Sequence, residues 1–179
     1  MMVDGRYPML GSNRNKALAS IKKALEERTA ASLRLGLKSE GGSRVLSVET
    51  AAKTPEAVDR EVLVCAAATE DPVSTEVPSG ENAGKIFVEY HAERFFVHKV
   101  VKLTRDEVET ISFSLIAGKD WIEENCRVAV FDQDQQNGKV YQADALPWSA
   151  RPRSKNKAAP SVKAGRRSTV KDTDSQSTT

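Results

Sequence analysis

The side chains that could carry out chemistry are few and widely spaced along this chain. Two thiols and two imidazoles could serve as metal ligands: Cys65, Cys126, His91 and His98. A metal site needs three or four ligands, and these residues lack metal-site spacing. Asp132 and Asp134 flank one glutamine, but the remaining ligands of a calcium loop are missing. Because no phosphate-binding glycine loop, G-x-S-x-G elbow or H-E-x-x-H pair occurs either, we expect a non-enzymatic protein without metal or other cofactor and without a small-molecule substrate.

The most informative stretch is A-G-K-I-F-V-E-Y, residues 83–90, which has the pattern of a buried central strand. It is close to the RNA-recognition-motif octamer K/R-G-F/Y-G/A-F-V-x-F/Y. Lys85 stands where the first base-stacking aromatic is expected, and Leu46 replaces the aromatic of the first strand. Since each lost stack removes roughly 1–3 kcal/mol per base, RNA binding by the sheet face is disfavoured. Lys85 remains a candidate phosphate contact.

Hydrophobic periodicity predicts the order strand, helix, strand, strand, helix, strand. The predicted strands are 44–50, 73–77, 83–90 and 126–131, and the predicted helices are 55–69 and 105–117. Thr54-Pro55 is typical of one helix start, and the capping box at 104–107 is typical of the other. This order is that of the ferredoxin-like split βαβ fold. We therefore expect an α+β, RRM-like fold with a four-stranded antiparallel sheet and two helices on one face; residues 91–103 fit either a helix or a further strand.

Composition divides the chain into three predicted parts. Residues 1–43 form a basic N-terminal extension with one helix over 13–35, residues 44–148 form the domain, and residues 149–179 form a disordered basic tail. The net charge is only +2, because the middle offsets the basic ends. No apolar run is long enough to span a bilayer, so no membrane partner is expected. Clusters in the tail are typical of nuclear targeting or nucleic-acid binding: Arg151, Arg153, Arg166 and Arg167.

These features together resemble the U2AF homology motif, a family of RRM-like domains that bind peptides, and most of all the one in the large subunit of the U2AF splicing factor. The resemblance is strongest over G-K-I-F-V-E-Y, residues 84–90, which is nearly the family's degenerate octamer. The stretches 45–48, 73–78 and 130–134 agree more loosely with its first, second and last strands. The resemblance implies a nuclear protein of pre-mRNA splicing.

The resemblance also implies a peptide site. The family's Arg-x-Phe signature corresponds to Lys119-Asp120-Trp121, and the pocket would include Phe87. Glu61 matches one of the family's acidic positions, while Cys65 stands at the other. Two further carboxylates precede Glu61 and could compensate: Glu56 and Asp59. The implied partner is a splicing protein that carries a basic, tryptophan-containing ligand peptide. Trp121 could instead cap the domain's own core.

Two other functions are also compatible with the sequence. The first is an RNA-binding RRM protein that uses its basic tails, and the second is a structural subunit of a ribonucleoprotein complex. The absence of a secretory signal and the two unpaired cysteines favour a reducing compartment, the nucleus or the cytoplasm.

Overall fold

Strands dominate the computed structural model of this chain, which describes residues 1–149. The elements in chain order are β1 (Met2–Val3), β2 (Tyr7–Pro8), α1 (Arg14–Glu26), β3 (Ala31–Glu40), β4 (Ser43–Ala52), β5 (Glu61–Glu70), β6 (Val73–Glu76), β7 (Ile86–Glu89), β8 (Ala92–Lys102), β9 (Glu109–Leu115), a 3₁₀ turn (Glu123–Asn125), β10 (Cys126–Asp134) and β11 (Val140–Pro147). Within the described residues no helix is long and apolar enough to cross a membrane.

Two antiparallel sheets pack face to face around one core. One has four strands in the order β11-β10-β5-β8, and the other has three in the order β3-β4-β9. The core is made of alternate residues on both sheets, among them Leu46, Val48, Val62, Val64, Phe113, Val128 and Val130. Each such side chain contributes roughly 1.5–3 kcal/mol when fully buried. The architecture is a β-sandwich, so the predicted α+β ferredoxin-like fold is wrong.

The predicted helix over 55–69 is strand β5, preceded by a turn. Val58, Val62 and Ala66 suggested a helix because they are four residues apart, but a spacing of four also satisfies the two-residue period of a strand. In the fold, Val64 and Ala68 are buried on the same face as Val62 and Ala66. Strand alternation therefore describes this segment better than a helical stripe does.

The predicted helix over 105–117 is wrong for the same reason. Ile111 and Leu115 are four apart, and Phe113 between them is buried with them in β9. Ser112 and Ser114 alternate with these residues and face outward. The capping box at 104–107 begins no helix, because pairing of β9 with β4 takes up the backbone groups that follow. Residues 92–102, which fitted either element, form strand β8.

The N-terminal helix begins at Arg14, one residue after the predicted start. The side chain of Asn13 caps α1 by accepting a hydrogen bond of 3.0 Å from the Lys16 amide. The helix ends at Glu26 rather than near residue 35, and β3 then pairs with β4 along its full length. The expected boundary at residues 43 and 44 thus lies at the start of β4, immediately after the β3–β4 hairpin turn. The expected tail over 149–179 lies, apart from Ser149, outside the described residues.

Candidate interaction surface

Two strands of the four-stranded sheet continue past the sandwich as a hairpin, residues 71–91, which we call the arm. β5 ends at Glu70, which pairs with Ala92 at the start of β8. The ladder resumes in β6 and β7, from the pair Val73–Glu89 to the pair Glu76–Ile86. β7 is exposed at every position, and β6 is exposed at all but its first. The arm is therefore a two-stranded ribbon with neither face covered.

Hydrogen bonds hold the arm at its tip and at its base. At the tip, the Gly84 amide donates to the Val77 carbonyl at 2.8 Å, and the Val77 amide donates to the Lys85 carbonyl at 3.0 Å. Gly84 has φ +79°, which favours a residue without a Cβ. At the base, His91 Nδ1 lies 3.1 Å from Asp71 Oδ2. The Asp71 amide also donates to the Asn125 carbonyl at 3.1 Å, which ties the base of the arm to the sandwich.

Large apolar side chains cover the arm. Ile86, Phe87, Val88 and Tyr90 are 68%, 46%, 50% and 71% exposed. Strand alternation places Ile86 and Val88 on one face, together with Ser74 and Glu76 of the paired strand. Phe87 and Glu89 lie on the opposite face. Several exposed large apolar side chains on one projecting element are typical of an interaction site.

The arm is also acidic. Residues 71–89 carry four carboxylates, Asp71, Glu76, Glu81 and Glu89, and one lysine, Lys85, for a net charge of −3. The Lys85 ammonium donates to Asn82 Oδ1 at 2.8 Å, within its own turn. The arm therefore combines apolar side chains with a negative field.

A second apolar surface lies at α1. A cavity of about 410 Å³, which we call the helix groove, opens between α1, the N-terminal hairpin and the outer face of the four-stranded sheet. Its lining includes Val3, Ile21, Leu25, Phe131, Val140 and Ala143. Leu18 and Leu25 of α1 are 52% and 81% exposed. The helix therefore packs only its small residues, Ala17 above all, and leaves its leucines to solvent.

A buried polar cluster lies at the end of the sandwich away from the arm. Asp134 accepts hydrogen bonds from Arg60 Nε at 2.9 Å, from the Tyr141 hydroxyl and from the amides of Gln136 and Asn137 at 2.7 and 3.1 Å. Burial acts to raise the pKa of Asp134, but these hydrogen bonds outweigh it and the pKa lies below its usual value. The carboxylate is fully occupied, so it fixes the β10–β11 turn and has no free lone pair for chemistry.

A second buried carboxylate, Asp132, has only one partner. Its Oδ2 accepts a hydrogen bond from Thr50 Oγ1, while its Oδ1 has none. Burial raises the pKa of Asp132 to about 6, and the Thr50 hydrogen bond opposes the shift. Cys65 is buried, and burial together with Asp132 raises the pKa of its thiol to about 11. Cys126 is also buried, and burial raises its pKa, so both thiols are poor nucleophiles at neutral pH.

The structure does not bring the six predicted peptide-binding residues together. Glu56 binds Lys139 at 2.9 Å, Asp59 binds Lys102 at 3.0 Å, and Glu61 begins β5. These three therefore lie at the end of the sandwich where β5 starts. Glu56 and Asp59 thus serve as ion-pair partners of lysines of the same chain.

The aromatic half of the predicted site lies at the opposite end of β5. Trp121 packs edge-on against Trp148, with ring centroids 5.4 Å apart, and the adjacent Ile122 amide donates to Glu70 Oε1 at 3.3 Å. Lys119 lies in the same loop. Glu70 is nine residues from Glu61 along an extended strand, which is about 30 Å at 3.3 Å per residue. A single side chain of a ligand peptide cannot contact residues at both ends of β5.

The remaining predicted residues lie on the arm or outside the described part of the chain. Phe87 is on β7 and Lys85 is in the arm's tip. The basic-tail residues Arg151, Arg153, Arg166 and Arg167 are outside residues 1–149. The exposed residues Ile86 and Val88 and the helix groove were missed. The available signal was the run of three large apolar residues after a glycine-rich turn, which fits an exposed hairpin as well as a buried strand.

Comparison with solved structures finds a similar fold in a bacterial protein. The chain is similar to HBP35 of Porphyromonas gingivalis, with a TM-score of 0.61, 14% identity, and coverage of 89% of this chain and 55% of that one. The chain thus spans about half the length of that protein, and at this identity the likeness concerns the fold alone. A weaker similarity, with a TM-score of 0.41, 10% identity, and coverage of 70% and 92%, is to a domain of the outer membrane lipoprotein Omp28 from Porphyromonas gingivalis.

The family assignment overturns the resemblance to the U2AF homology motif. The fold is not RRM-like, and the similar HBP35 structure comes from a bacterium. No curated protein matches the chain. The predicted role in splicing, the splicing-factor partner with its tryptophan-containing peptide and the nuclear location are therefore wrong. The RNA-recognition alternatives assumed an RRM-like fold and are wrong as well. The sequence model described as "Protein of unknown function (DUF1223)" matches residues 1–133. This chain belongs to the DUF1223 family.

Proposed function

We propose that this chain is a non-enzymatic β-sandwich module that docks onto a protein surface through its arm. The observation that carries the proposal is the exposure of Ile86, Val88 and Tyr90 on a ribbon whose strand β7 is exposed at every position. Leaving several large apolar side chains in water is unfavourable by roughly 25 cal/mol per Å² of apolar surface. A bound protein surface would recover that free energy.

The charge of the arm favours a protein over a nucleic acid or a membrane. Nucleic acids and anionic lipid surfaces attract lysine and arginine, and they repel an element with a net charge of −3. A protein surface can offer apolar side chains and cations together. The partner is therefore expected to present an apolar groove edged by basic residues.

The buried ionisable groups support a function without chemistry. Asp134 has all its contacts inside the protein, and Asp132 is fully buried between the sheets. Both thiols are buried with raised pKa values. Among the described residues no group of three His, Cys, Asp or Glu side chains is placed to hold a metal ion.

Photo-crosslinking in cells tests the proposal. A photoreactive phenylalanine analogue replaces Val88 on the arm in one variant and Ile116 in the matched control. Ile116 is apolar and 69% exposed, but it lies on the sandwich after β9. We expect a discrete protein adduct from position 88 alone, lost when Ile86→Ser is added. Absence of a discrete adduct, or the same adducts from both positions, contradicts the proposal.

A further inference from the structure

We infer that the arm of one copy of this chain docks in the helix groove of a second copy. The inference rests on the proposed function and names the partner of the same arm. Two apolar surfaces, the arm and the helix groove, are left exposed by residues 1–149.

The arm is acidic, whereas helix α1, which forms one wall of the groove, is basic; the carboxylate that also lines the groove, Asp4, is ion-paired with Arg6. Residues 71–89 have a net charge of −3. Helix α1, residues 14–26, carries four cations, Arg14, Lys16, Lys22 and Lys23, against one carboxylate, Glu26, and has a net charge of +3. Opposite fields on two apolar surfaces steer encounter and fix register. Copies of this chain are therefore complementary to one another.

The complementarity extends to individual positions. On α1, Lys22 lies three residues before Leu25, so the exposed leucine that lines the groove has a cation beside it on the helix surface. On the arm, Ile86 lies directly opposite Glu76 in the ladder, and Val88 shares its face. An apolar side chain beside a carboxylate thus meets an apolar side chain beside a cation.

The groove is not filled by the arm of its own copy. Phe131, which lines the groove, pairs with Cys65, and Glu70 is five residues farther along β5, about 17 Å at 3.3 Å per residue. The arm begins beyond Glu70, and its exposed strands show that it does not pack back on the sandwich. An arm that enters the groove must therefore come from another molecule.

Reciprocal exchange closes the assembly. If each copy inserts its arm into the groove of the other, the arm–groove contact forms twice. Both surfaces of each copy are then occupied, and neither is left for a third copy. The expected species is a dimer of the 19.6 kDa chain. Two equivalent contacts also strengthen each other, since forming the first makes the second intramolecular.

Sedimentation equilibrium of the purified full chain tests the inference. We expect a dimer whose dissociation constant rises at least about tenfold in each of two variants, because truncated apolar anchors dominate such contacts. One variant is Ile86→Ser with Val88→Ser on the arm, and the other is Leu25→Ser in the groove. Phe87→Ser is the matched control, because Phe87 lies on the opposite face of the ribbon. The substituted side chains are exposed, and circular dichroism confirms that each variant is folded.

A charge exchange gives the second measurement. Glu76→Lys or Lys22→Glu alone should weaken the dimer, and the two together should restore much of the loss, more clearly at low salt. A chain that stays monomeric, or a dimer indifferent to both Leu25→Ser and the arm variant, overturns the inference. If the chain is monomeric but Val88 crosslinks to a different protein, self-docking fails and the proposed function stands. If Val88 gives no discrete adduct, and a dimer forms that responds neither to the arm variant nor to Leu25→Ser, both self-docking and the proposed function fail.

Discussion

Thr50 Oγ1 on β4 donates a hydrogen bond of 2.7 Å to Asp132 Oδ2 on β10, and both side chains are fully buried. The bond crosses from the three-stranded sheet to the four-stranded sheet, through the middle of an otherwise apolar core. A carboxylate there costs stability when it is charged, because one hydrogen bond does not replace its hydration. The hydrogen bond fixes the position of one sheet relative to the other. At pH values above the pKa of Asp132, the buried charge lowers the free energy of unfolding.

Replacing Asp132 by asparagine should flatten the pH dependence of stability. The folded-state pKa is about 6 and the usual value is 3.8, so the folded protein binds more protons between these values. Stability of the parent chain therefore falls as pH rises through this window, by up to about 3 kcal/mol. Asp132→Asn keeps an acceptor for Thr50 and should be the more stable protein above the window.

Urea unfolding across that pH window measures the effect. Asp106→Asn is the matched control, since Asp106 is exposed and the substitution makes the same chemical change. Equal pH profiles for Asp132→Asn and the parent chain are the outcome that contradicts the expected desolvation of Asp132.

Asp134 should show the opposite sign. Its pKa is lowered in the folded state, so its stabilisation is present above the usual value of 3.8 and is lost as pH falls through the folded value. Asp134→Ala leaves Arg60 and Tyr141 without their acceptor and should cost about 3 kcal/mol at neutral pH. In acid the difference between the two proteins should shrink. A constant difference from neutral to acid pH speaks against the ionised network.

The sequence predicts an element correctly when its apolar spacing fits only one type of secondary structure. The sequence places strands correctly at β4, β6, β7 and β10. β5 and β9 were mistaken for helices because spacings of four fit both periods, and the pairing that decides between them involves residues far away in the chain. Local propensity contains no such information.

The sequence indicated part of the candidate surface but not its exposure. The stretch 83–90 was singled out, and Phe87 was chosen from it, but as part of a buried central strand. Ile86 and Val88 are exposed because the pairing of β5 with β8 ends at Glu70 and Ala92. Alternation within residues 83–90 does not reveal where that pairing ends. The groove needs α1 to lie over Phe131, a contact more than one hundred residues away along the chain.

Trp121 and Trp148 should act as part of the fold. Trp148 is 1% exposed and donates its indole N–H to Glu123 Oε2 at 2.9 Å, while Trp121 covers it edge-on. Trp148→Ala should cost about 3–5 kcal/mol, as other buried tryptophan truncations do. Trp121→Ala should cost less, because Trp121 is only half-buried. Chemical unfolding measures both, and an unchanged stability of Trp121→Ala contradicts its structural role.

Lys99 should protect the open edge of the sandwich. Its ammonium, on β8, donates to the Ser112 carbonyl on β9 at 2.9 Å and lies 5.4 Å from the Phe113 ring centroid. β8 and β9 are edge strands of the two sheets, and a charged side chain on an edge opposes pairing with other chains. Lys99→Val removes that charge and places one more β-branched side chain on the edge. We expect faster aggregation on mild heating, measured by light scattering. Lys102→Val makes the same charge change at the end of β8, where the lysine binds Asp59, and serves as the control. Equal aggregation rates for the two variants assign the effect to net charge and remove the specific role of Lys99.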